Sequence, residues 1–322
     1  MEQDKTIDVI IPTYHPDEKL DRCLAMLKKQ TVKPQRILLI NTEESLFCSK
    51  VFPTLEQGEI VHIKKPEFDH GGTRNRAAAL CDGEIMVLMT QDAIPADEFL
   101  LENLIKPFEE EEVCAAYARQ MADWKDNPVE AYTRRFNYPK ESRIKSREDI
   151  PVLGIKTFFC SNVCAAYRKS EYNKLGGFPL HTIFNEDMIF ASRLIENGKK
   201  IAYAADARVW HWHNYSAIEQ LKRNFDLAVS QVDYGGLLTQ VRSESEGIRL
   251  VKKTLKFFIK KRKFSYLPGI FCQNAAKYIG YCLGKNYKKL PKKWILKLSL
   301  NPSYWKSDGE NKGNSNKREN EL

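Results

Sequence analysis

The sequence predicts an α/β protein with a mostly parallel central sheet flanked by helices, followed by a basic helical segment at the C-terminus. Over the first 90 of its 322 residues, short apolar runs alternate with segments of helical period, which is typical of a parallel sheet. These runs are apolar at nearly every position, as in strands that are buried on both faces. The third observation is a cluster of Lys residues, interleaved with aromatic and aliphatic residues, after residue 250.

Four strands and two helices are predicted before residue 100. The run IDVIIPTY (7–14) is β-branched and ends soon after a proline, which predicts a strand. The next segment has leucines at helical spacing and acidic residues in its first turn, which predicts a helix over 16–30. A glycine pair that leads into alanines predicts the second helix. The remaining strands are predicted at 36–42, 59–65 and 84–90, and the second helix at 71–83.

The regular alternation ends near residue 100. Residues 102–112 predict a solvated helix that is interrupted by a proline. Residues 130–153 are polar and aromatic without a clear period, which predicts a loop or a lid. The later elements are predicted as a strand and a helix within 158–178, a helix over 185–200, and a pair of strands around Asp206 within 201–212.

The net charge of +9 is unevenly distributed along the chain. Of the 51 Lys and Arg residues, sixteen lie between Arg249 and Lys306, where there is no Asp or Glu, so the rest of the chain holds 35 basic and 42 acidic residues. Basic segments with aromatic residues are typical of helices on an anionic membrane surface, and a solvated basic face on a helical domain is the alternative. Lysine clusters also bind nucleic acids, but no recognised nucleic-acid-binding module accompanies these.

Cysteine usage and apolar runs predict where the protein resides. The eight cysteines form no C-x-x-C pair and several lie in apolar runs, which predicts reduced, mostly buried thiols and a cytoplasmic location. The N-terminal residues lack the basic and apolar regions of a secretory signal. The most apolar window, 264–284, is interrupted by Pro268 and three polar residues, so it is predicted to lie on a membrane rather than to cross it.

Polar residues follow the predicted strands at their carboxyl ends, where ligands bind in open parallel sheets. The third strand leads into FDHGGTRN (68–75), which adds Arg74 and Asn75. Neither a dinucleotide-binding fingerprint nor a P-loop occurs, so neither kind of phosphate site is supported. The residues at the ends of the first, second and fourth strands are Pro12, Thr13 and Tyr14, then Asn41, Thr42 and Glu43, then Thr90, Gln91 and Asp92.

The charged residues in these motifs each have a chemical and an ordinary structural interpretation. Asp92 follows an apolar strand, where a carboxylate can hold Mg²⁺ or Mn²⁺ or can cap a turn. Arg74 can pair with a phosphate or a base, or can form a surface ion pair. Glu186 and Asp187 open a predicted helix, where carboxylates also act as caps that interact with the helix dipole.

Two of the six histidines, His211 and His213, flank Trp212. Residues two apart in a strand point to the same side, so the two imidazoles are predicted to face one way and Trp212 the other. They either satisfy hydrogen bonds in the core or form a pair of metal ligands. Imidazole suits Mn²⁺ and softer metals better than Mg²⁺.

In their order along the chain, these motifs resemble glycosyltransferase family 2, whose members are inverting enzymes with sugar-nucleotide donors and the GT-A fold. The order begins with a strand ending in PTY, which is followed by HGGTRN and by a second strand that leads into TQDAIP; the motifs NEDMIFASRL and DARVWHWH come last. The resemblance covers residues 6–220. FDHGGTRN, TQDAIP, NEDMIFASRL and the C-terminal NPSYW are similar to the rhamnosyltransferase branch that builds bacterial surface polysaccharides. The implied GT-A fold has a Rossmann-like, mostly parallel central sheet flanked by helices.

The resemblance implies a donor site at the strand ends. In the family the second strand end usually carries an acid that recognises a pyrimidine base, and Glu43 is the acid found here. The family's D-x-D metal motif corresponds to Thr90-Gln91-Asp92, which lacks the first Asp. The implied donor-binding residues are Pro12, Thr13, Tyr14, Asn41, Thr42, Glu43, Arg74, Asn75, Gln91 and Asp92.

The resemblance also implies the catalytic and metal-binding residues. The family's catalytic base is an Asp at the start of a helix, often after a Glu, which corresponds here to Asp187 with Glu186 beside it. A histidine after a late strand can complete the metal site, which corresponds to His211 first and His213 second. Together with Asp92 these histidines would hold Mg²⁺ or Mn²⁺, the implied cofactor.

The implied activity is inverting transfer of L-rhamnose from dTDP-L-rhamnose to a polyprenyl-diphosphate-linked glycan in surface-polysaccharide synthesis, with UDP-galactose and UDP-N-acetylglucosamine as alternative donors. Negative charge develops on the leaving phosphate, and a divalent cation aided by Arg74 would stabilise it. Asp187 would accept the proton of the attacking hydroxyl. Trp210 or Trp212 would line the site of the acceptor sugar.

Three regions are predicted along the chain: a GT-A domain at 1–220, a basic, helical, membrane-associating segment at 221–305, and a disordered tail at 306–322. We therefore expect a peripheral protein on the inner face of the cell membrane that binds no nucleic acid. Two alternatives differ in function. A nucleotidyltransferase would usually have a glycine-rich loop after the first strand, which PTYHPDEKL lacks, and a basic membrane- or nucleic-acid-binding protein would bind no sugar nucleotide.

Overall fold

A central sheet of nine strands organises the protein, whose computed structural model describes residues 5–234, 244–302 and 304–305. The tail predicted at 306–322 lies outside the described residues. The strands are β1 (Ile7–Tyr14), β2 (Arg36–Thr42), β3 (Gly58–Ile63), β4 (Ile85–Met89), β5 (Ile94–Pro95), β6 (Val113–Met121), β7 (Arg143–Lys145), β8 (Cys164–Arg168) and β9 (Lys200–Trp210). The helices are α1 (Glu18–Lys28), α2 (His70–Ala79), α3 (Leu100–Ile105), α4 (Pro128–Asn137), α5 (Ile150–Leu153), α6 (Lys169–Lys174), α7 (Glu186–Glu196), α8 (Ala217–Asp233), α9 (Glu244–Lys260), α10 (Leu267–Lys285) and α11 (Lys292–Leu298).

The strand order is β3-β2-β1-β4-β8-β6-β9-β5, and β7 also pairs with β9. The first four strands are parallel to one another, as predicted. β8 is antiparallel to both β4 and β6, and β9 is parallel to β6. The predicted α/β class is therefore confirmed, and the strands after residue 100 make the sheet mixed. The carboxyl ends of β1, β2, β3, β4, β6 and β9 all lie at one edge.

Apolar side chains of the strands are divided between two buried clusters, one on each face of the sheet. Ile7, Val9 and Ile11 of β1 pack with the leucines of α1, whereas Ile10 packs on the side of α2 and α7. Each fully buried leucine of α1 contributes roughly 1.5–3 kcal/mol through burial. Because helices cover both faces, these strands are apolar at successive positions rather than at alternate ones.

Residues 130–153 contain regular elements, so the prediction of a loop there is wrong. α4 begins after Asn127, whose side chain accepts a hydrogen bond from the Glu130 amide at 3.0 Å. β7 and α5 follow within the same segment. The helical period is obscured because aromatic residues of α4 face the C-terminal helix α9. The ring of Tyr132, for example, lies 4.5 Å from that of Phe257.

The prediction of two strands around Asp206 is also wrong, because β9 is continuous. Ala118 pairs with Ala204 but Arg119 pairs with Arg208, so β9 carries extra residues as a bulge. Asp206 lies in this bulge and its side chain is exposed. The strand can therefore include this polar residue without ending in a turn. β6, for which no strand was predicted, pairs with both β8 and β9; its run of alanines has weak strand propensity.

The C-terminal helices pack closely on α8. A Cβ added at Gly280 of α10 would lie 2.0 Å from the Leu221 carbonyl oxygen, and one at Gly284 would lie 2.4 Å from that of Phe225, so only glycine permits this approach. No helix in the described part of the chain combines the length and apolar character that a membrane crossing requires. The domain boundary at residue 220 stays a prediction.

Candidate active site

A carboxylate and two imidazoles meet at the carboxyl-terminal edge of the sheet. The short strand β5 pairs with the end of β9, which brings Asp92 next to His211 and His213. The Nε2 atoms of the two histidines lie 3.6 and 3.5 Å from the Asp92 oxygens. One potential ligand atom from each residue lies within 4.8 Å of the other two. One carboxylate with two imidazoles is a donor set that suits Mn²⁺ better than Mg²⁺.

Gln120 fixes the orientation of His211. The Gln120 Oε1 atom accepts a hydrogen bond from Arg134, whose guanidinium can only donate. The His211 Nδ1 atom lies 3.1 Å from the same oxygen. Because that oxygen can only accept, His211 Nδ1 must carry a proton. Burial holds the pKa of His211 well below its ordinary value, so the imidazole is neutral and its Nε2 presents a lone pair to Asp92. Two acceptors that face each other in this way repel, and a cation between them removes the repulsion. The residues present therefore fit a divalent metal.

The Thr90-Gln91 pair occupies the first two positions of the incomplete D-x-D motif. The Gln91 side chain accepts from the Tyr14 amide at 3.0 Å and donates to the Tyr14 carbonyl at 3.2 Å, which ties the end of β4 to the end of β1. Among the described residues, the buried hydroxyl of Thr90 has no hydrogen-bond partner. Asp92 is thus the one carboxylate that this motif contributes to the site.

The polar residues at the ends of β1 and β2 are mostly turned inward. Thr13 donates to the Asn41 side chain at 3.0 Å, and Asn41 in turn donates to the Glu43 carbonyl at 3.1 Å. Thr13, Asn41 and Thr42 are all buried, and Pro12 is half-buried. Of the predicted donor-binding residues at the ends of these two strands, Tyr14 keeps an exposed side chain and Glu43 a partly accessible one.

Lys65 joins the two accessible residues at this edge, and the sequence analysis did not single it out. Its ammonium lies 5.4 Å from the centre of the Tyr14 ring and 3.4 Å from the Tyr14 hydroxyl. Its backbone amide donates to the Glu43 carboxylate at 2.6 Å. An aromatic ring, an acid and a cation therefore line the outer end of the strand edge, where a base and a phosphate can both be bound.

Glu186 and Asp187 begin α7 and differ in their partners. Glu186 forms an ion pair with Arg74 at 3.3 Å, both side chains being buried, and it accepts from the Asn162 side chain at 3.1 Å. Asp187 accepts from the Asn162 backbone amide at 2.9 Å and keeps part of its surface accessible. Asn162, which the sequence analysis missed, therefore holds both carboxylates, and the hydroxyl of Tyr167 donates to it at 2.8 Å.

The two adjacent carboxyl groups have opposite pKa shifts. Burial, and then the neighbouring Glu186 charge, raise the pKa of Asp187 to about 7. Burial alone would raise the pKa of Glu186 too, but Arg74, His70 and Asn162 outweigh it, so that pKa lies below its ordinary value. Glu186 therefore stays ionised while Asp187 exchanges a proton near neutral pH, which is the property that a general base requires.

Comparison with known proteins assigns the chain to a family. Residues 8–176 match the family described as Glycosyl transferase family 2. The chain is also 38% identical over 307 residues to the O-antigen chain rhamnosyltransferase RfbN of Salmonella typhimurium (strain LT2), which covers 93% of this chain and 96% of that one.

The chain belongs to glycosyltransferase family 2.

A second relative, the O-antigen chain rhamnosyltransferase WbaN of Salmonella anatum, is 38% identical over 92% of this chain and 95% of its own. Among solved structures, the mannosyltransferase PcManGT of Pyrobaculum calidifontis, in complex with GDP-Man and Mn²⁺, superposes with a TM-score of 0.60 at 13% identity. It covers 90% of this chain and 89% of its own, which supports the predicted GT-A fold. The protein is therefore a glycosyltransferase.

The remaining predicted residues of this glycosyltransferase fall into two groups. Asn75 is used within the fold: its side chain accepts from the Phe178 amide and donates to the Phe178 carbonyl, both at 2.9 Å, and so closes the turn that contains Gly176 and Gly177. Trp210 is 37% exposed, and its ring centre lies 6.4 Å from that of Trp212. Both tryptophans adjoin His211 in the chain.

Proposed function

We propose that this glycosyltransferase transfers L-rhamnose from dTDP-L-rhamnose to a polyprenyl-diphosphate-linked glycan, with inversion, during surface-polysaccharide synthesis. The reaction type is supported by Asp187, a partly accessible carboxyl group with a pKa of about 7. This residue lies at the same edge of the sheet as the Asp92–His211–His213 cluster. The rhamnose donor is supported by the two rhamnosyltransferases that are 38% identical to this chain over nearly its whole length.

In the proposed mechanism, Asp187 accepts the proton of the acceptor hydroxyl as that oxygen attacks the anomeric carbon. Glu186 keeps its charge through the ion pair with Arg74, and burial together with this charge keeps the pKa of Asp187 high enough for efficient proton transfer at neutral pH. We therefore assign Arg74 to positioning and tuning the base. A single displacement from the face opposite the leaving group inverts the anomeric centre.

Asp92, His211 and His213 would hold a divalent cation beside the departing diphosphate. When bound, such a cation supplies positive charge that stabilises the leaving group. The donor set favours Mn²⁺. Tyr14, Glu43 and Lys65 would receive the nucleoside, with the Tyr14 ring available for stacking on the base and the Lys65 ammonium available to a phosphate oxygen.

The basic C-terminal helices are proposed to place the enzyme on the anionic inner face of the cell membrane. Large apolar side chains remain exposed there beside lysines: Phe271 of α10 is 72% exposed and Trp294 of α11 is 61% exposed, next to Lys292 and Lys293. We expect binding to vesicles that contain phosphatidylglycerol, weakened by high salt. Replacing Lys292 and Lys293 by Gln should weaken binding about fivefold per lysine, whereas the control change Lys29→Gln, directly after α1, should have no effect.

A donor panel tests the proposed function. Purified enzyme would be incubated with dTDP-L-rhamnose, UDP-galactose, UDP-N-acetylglucosamine or GDP-mannose, each with Mn²⁺, with Mg²⁺ or with EDTA, and donor hydrolysis and thermal shift would be measured. We expect a selective response to dTDP-L-rhamnose that requires the metal. A selective response to another donor would overturn the rhamnose assignment, and equal activity in EDTA would overturn the metal assignment.

A further inference from the structure

A basic, aromatic cleft lies beside the metal-ligand cluster. It has a volume of about 270 Å³ and is formed by the end of β6, the segment that follows it, α4 and the end of β9. No carboxylate lines it among the residues that the structure describes. Its charged and large aromatic walls include Arg119, Arg134, Arg135, Lys140, Trp124 and Trp210.

Most of the positive charge in this cleft is uncompensated. Arg134 pairs with Glu130 at 2.8 Å and donates to Gln120. In contrast, the side chains of Arg119, Arg135 and Lys140 form no ion pair or hydrogen bond with any residue in the described ranges. Cations gathered in a cleft repel one another, and a cleft lined by one sign of charge concentrates counter-ions. A ligand with several negative charges would match it.

The cleft is connected to the active site through its inner wall. The Gln120 Oε1 atom contacts both Arg134 in the cleft and His211 in the metal-ligand cluster. Trp210, at the cleft, immediately precedes His211 in the chain. An anion held in the cleft therefore lies on the far side of Gln120 from the cluster, outside the edge formed by β1, β2 and β4 that is proposed to bind the donor.

The outer wall of the cleft is continuous with the amphipathic helix α9. The Trp124 ring lies 6.0 Å from that of Phe257 on this helix. Lys253 of α9 lies 5.5 Å from the Phe136 ring of α4, and Ile259 of α9 remains half exposed. A ligand with an anionic head in the cleft could therefore extend an apolar tail along a surface that carries both apolar and basic side chains.

We infer that this cleft binds the diphosphate of the lipid-linked acceptor. This inference rests on the proposed function only in taking the acceptor to be a lipid diphosphate; it does not depend on which sugar is transferred. Arginine binds phosphate oxygens through paired N–H groups, and Arg119 and Arg135 are available for this. A nucleotide sugar also contains a diphosphate, so the test must distinguish the two sources.

Kinetics with both substrates make that distinction. The variants are Arg119→Gln and Arg135→Gln, and the matched control is Arg22→Gln, an exposed arginine of α1 on the opposite face of the sheet. Each cleft variant should raise KM for the lipid-linked acceptor about tenfold, with KM for the donor and metal-dependent donor hydrolysis unchanged. A raised donor KM with an unchanged acceptor KM would assign the cleft to the nucleotide and overturn the inference, as would values equal to those of the control.

A binding measurement separates this inference from the proposed function. Farnesyl diphosphate would be titrated calorimetrically into the full-length protein in EDTA without nucleotide, with farnesol and dTDP as comparison ligands. We expect salt-sensitive binding of farnesyl diphosphate that the double variant Arg119→Gln/Arg135→Gln weakens at least tenfold. Absence of binding to the wild type, or equal binding to the double variant, would overturn the inference. If farnesyl diphosphate binds as expected but the enzyme transfers no rhamnose, only the proposed function is contradicted.

Discussion

At the ends of β1, β2 and β4, the side chains of Thr13, Asn41 and Gln91 are held by hydrogen bonds within the protein, whereas near β9 and α7 acceptor or acidic groups face one another. Thr13 donates to Asn41, and Gln91 exchanges two hydrogen bonds with the backbone of Tyr14. By contrast, His211 presents a lone pair to Asp92, and the carboxyl group of Asp187 lies beside Glu186. The first region forms a stable frame for a ligand, and the second holds opposed acceptor and acidic groups whose repulsion a metal or a proton can relieve.

This comparison predicts the largest functional loss at Asp187. Asp187→Asn should lower kcat by roughly 10²–10⁴, because the amide cannot accept the proton, and should leave donor affinity unchanged. Single-turnover transfer and calorimetric donor binding measure the two quantities. Asp206→Asn, in the exposed bulge of β9, is the matched control. Activity above a few per cent of wild type would exclude Asp187 as the base.

A smaller effect is expected at Gln120, which touches no substrate in the proposed mechanism. Gln120→Leu should weaken Mn²⁺ affinity about 10–100-fold, because His211 loses the acceptor that orients it. Gln120→Glu retains an acceptor oxygen and should stay within a few-fold of wild type. Calorimetric titration of Mn²⁺ without donor measures both. If the Leu and Glu variants bind Mn²⁺ equally well, the hydrogen bond to His211 does not tune the metal site.

The pH dependence should locate the reactive proton. In the proposed mechanism Asp187 works only when deprotonated, so kcat/KM should fall about tenfold per pH unit below its pKa of about 7. Because folding raises this pKa, the group favours the folded state when protonated, and that stability is lost as pH rises through about 7. The side-chain amide of the Asp187→Asn variant stays neutral at all pH values. The variant should therefore melt at a higher temperature than wild type, and the difference should be larger at pH 8 than at pH 5. An equal difference at both pH values would refute the raised pKa.

The smallest functional effect is expected in the hydrogen-bonded region. Thr13→Val removes the donor to Asn41 while keeping the side-chain shape, and should lower the free energy of unfolding by about 1–3 kcal/mol. We expect kcat to change less than about threefold, since the hydroxyl is buried and paired. Urea denaturation and steady-state kinetics measure the two. A tenfold loss of kcat without loss of stability would show that Thr13 takes part in the reaction, and the contrast between the two regions would then be wrong.

The parts of the fold that could be predicted from sequence are those with a strong local pattern. β1 and β2 lie at the predicted residues, and α7 begins within one residue of its prediction, because continuous apolar runs and regular helical spacing identify them. β6 was not predicted because alanines favour no strand on their own, and α4 because its aromatic face packs on α9, which is distant in sequence. Tertiary contacts, rather than local propensity, determine both elements.

The same distinction applies to the site. Asp92, His211 and His213 were grouped through the order of the motifs, and the structure brings their ligand atoms together. Asn162 and Gln120 carried no signal, because each contacts the groups that it orients only in the folded protein, from an element distant in sequence. Lys65 has a weak signal, since two lysines follow β3 at the same edge as the other strand ends.

The two-residue strand β5 affects the order in which the enzyme matures. It joins Asp92 to the end of β9, so the proposed metal ligands lie together only once the chain has been synthesised past His213. Roughly 120 residues separate these ligands, and at common translation rates their synthesis takes about 6–24 seconds. A nascent chain that already carries β1 to β4 therefore cannot assemble the proposed metal site, and binding of a cation there would report that the half of the protein after β4 has folded.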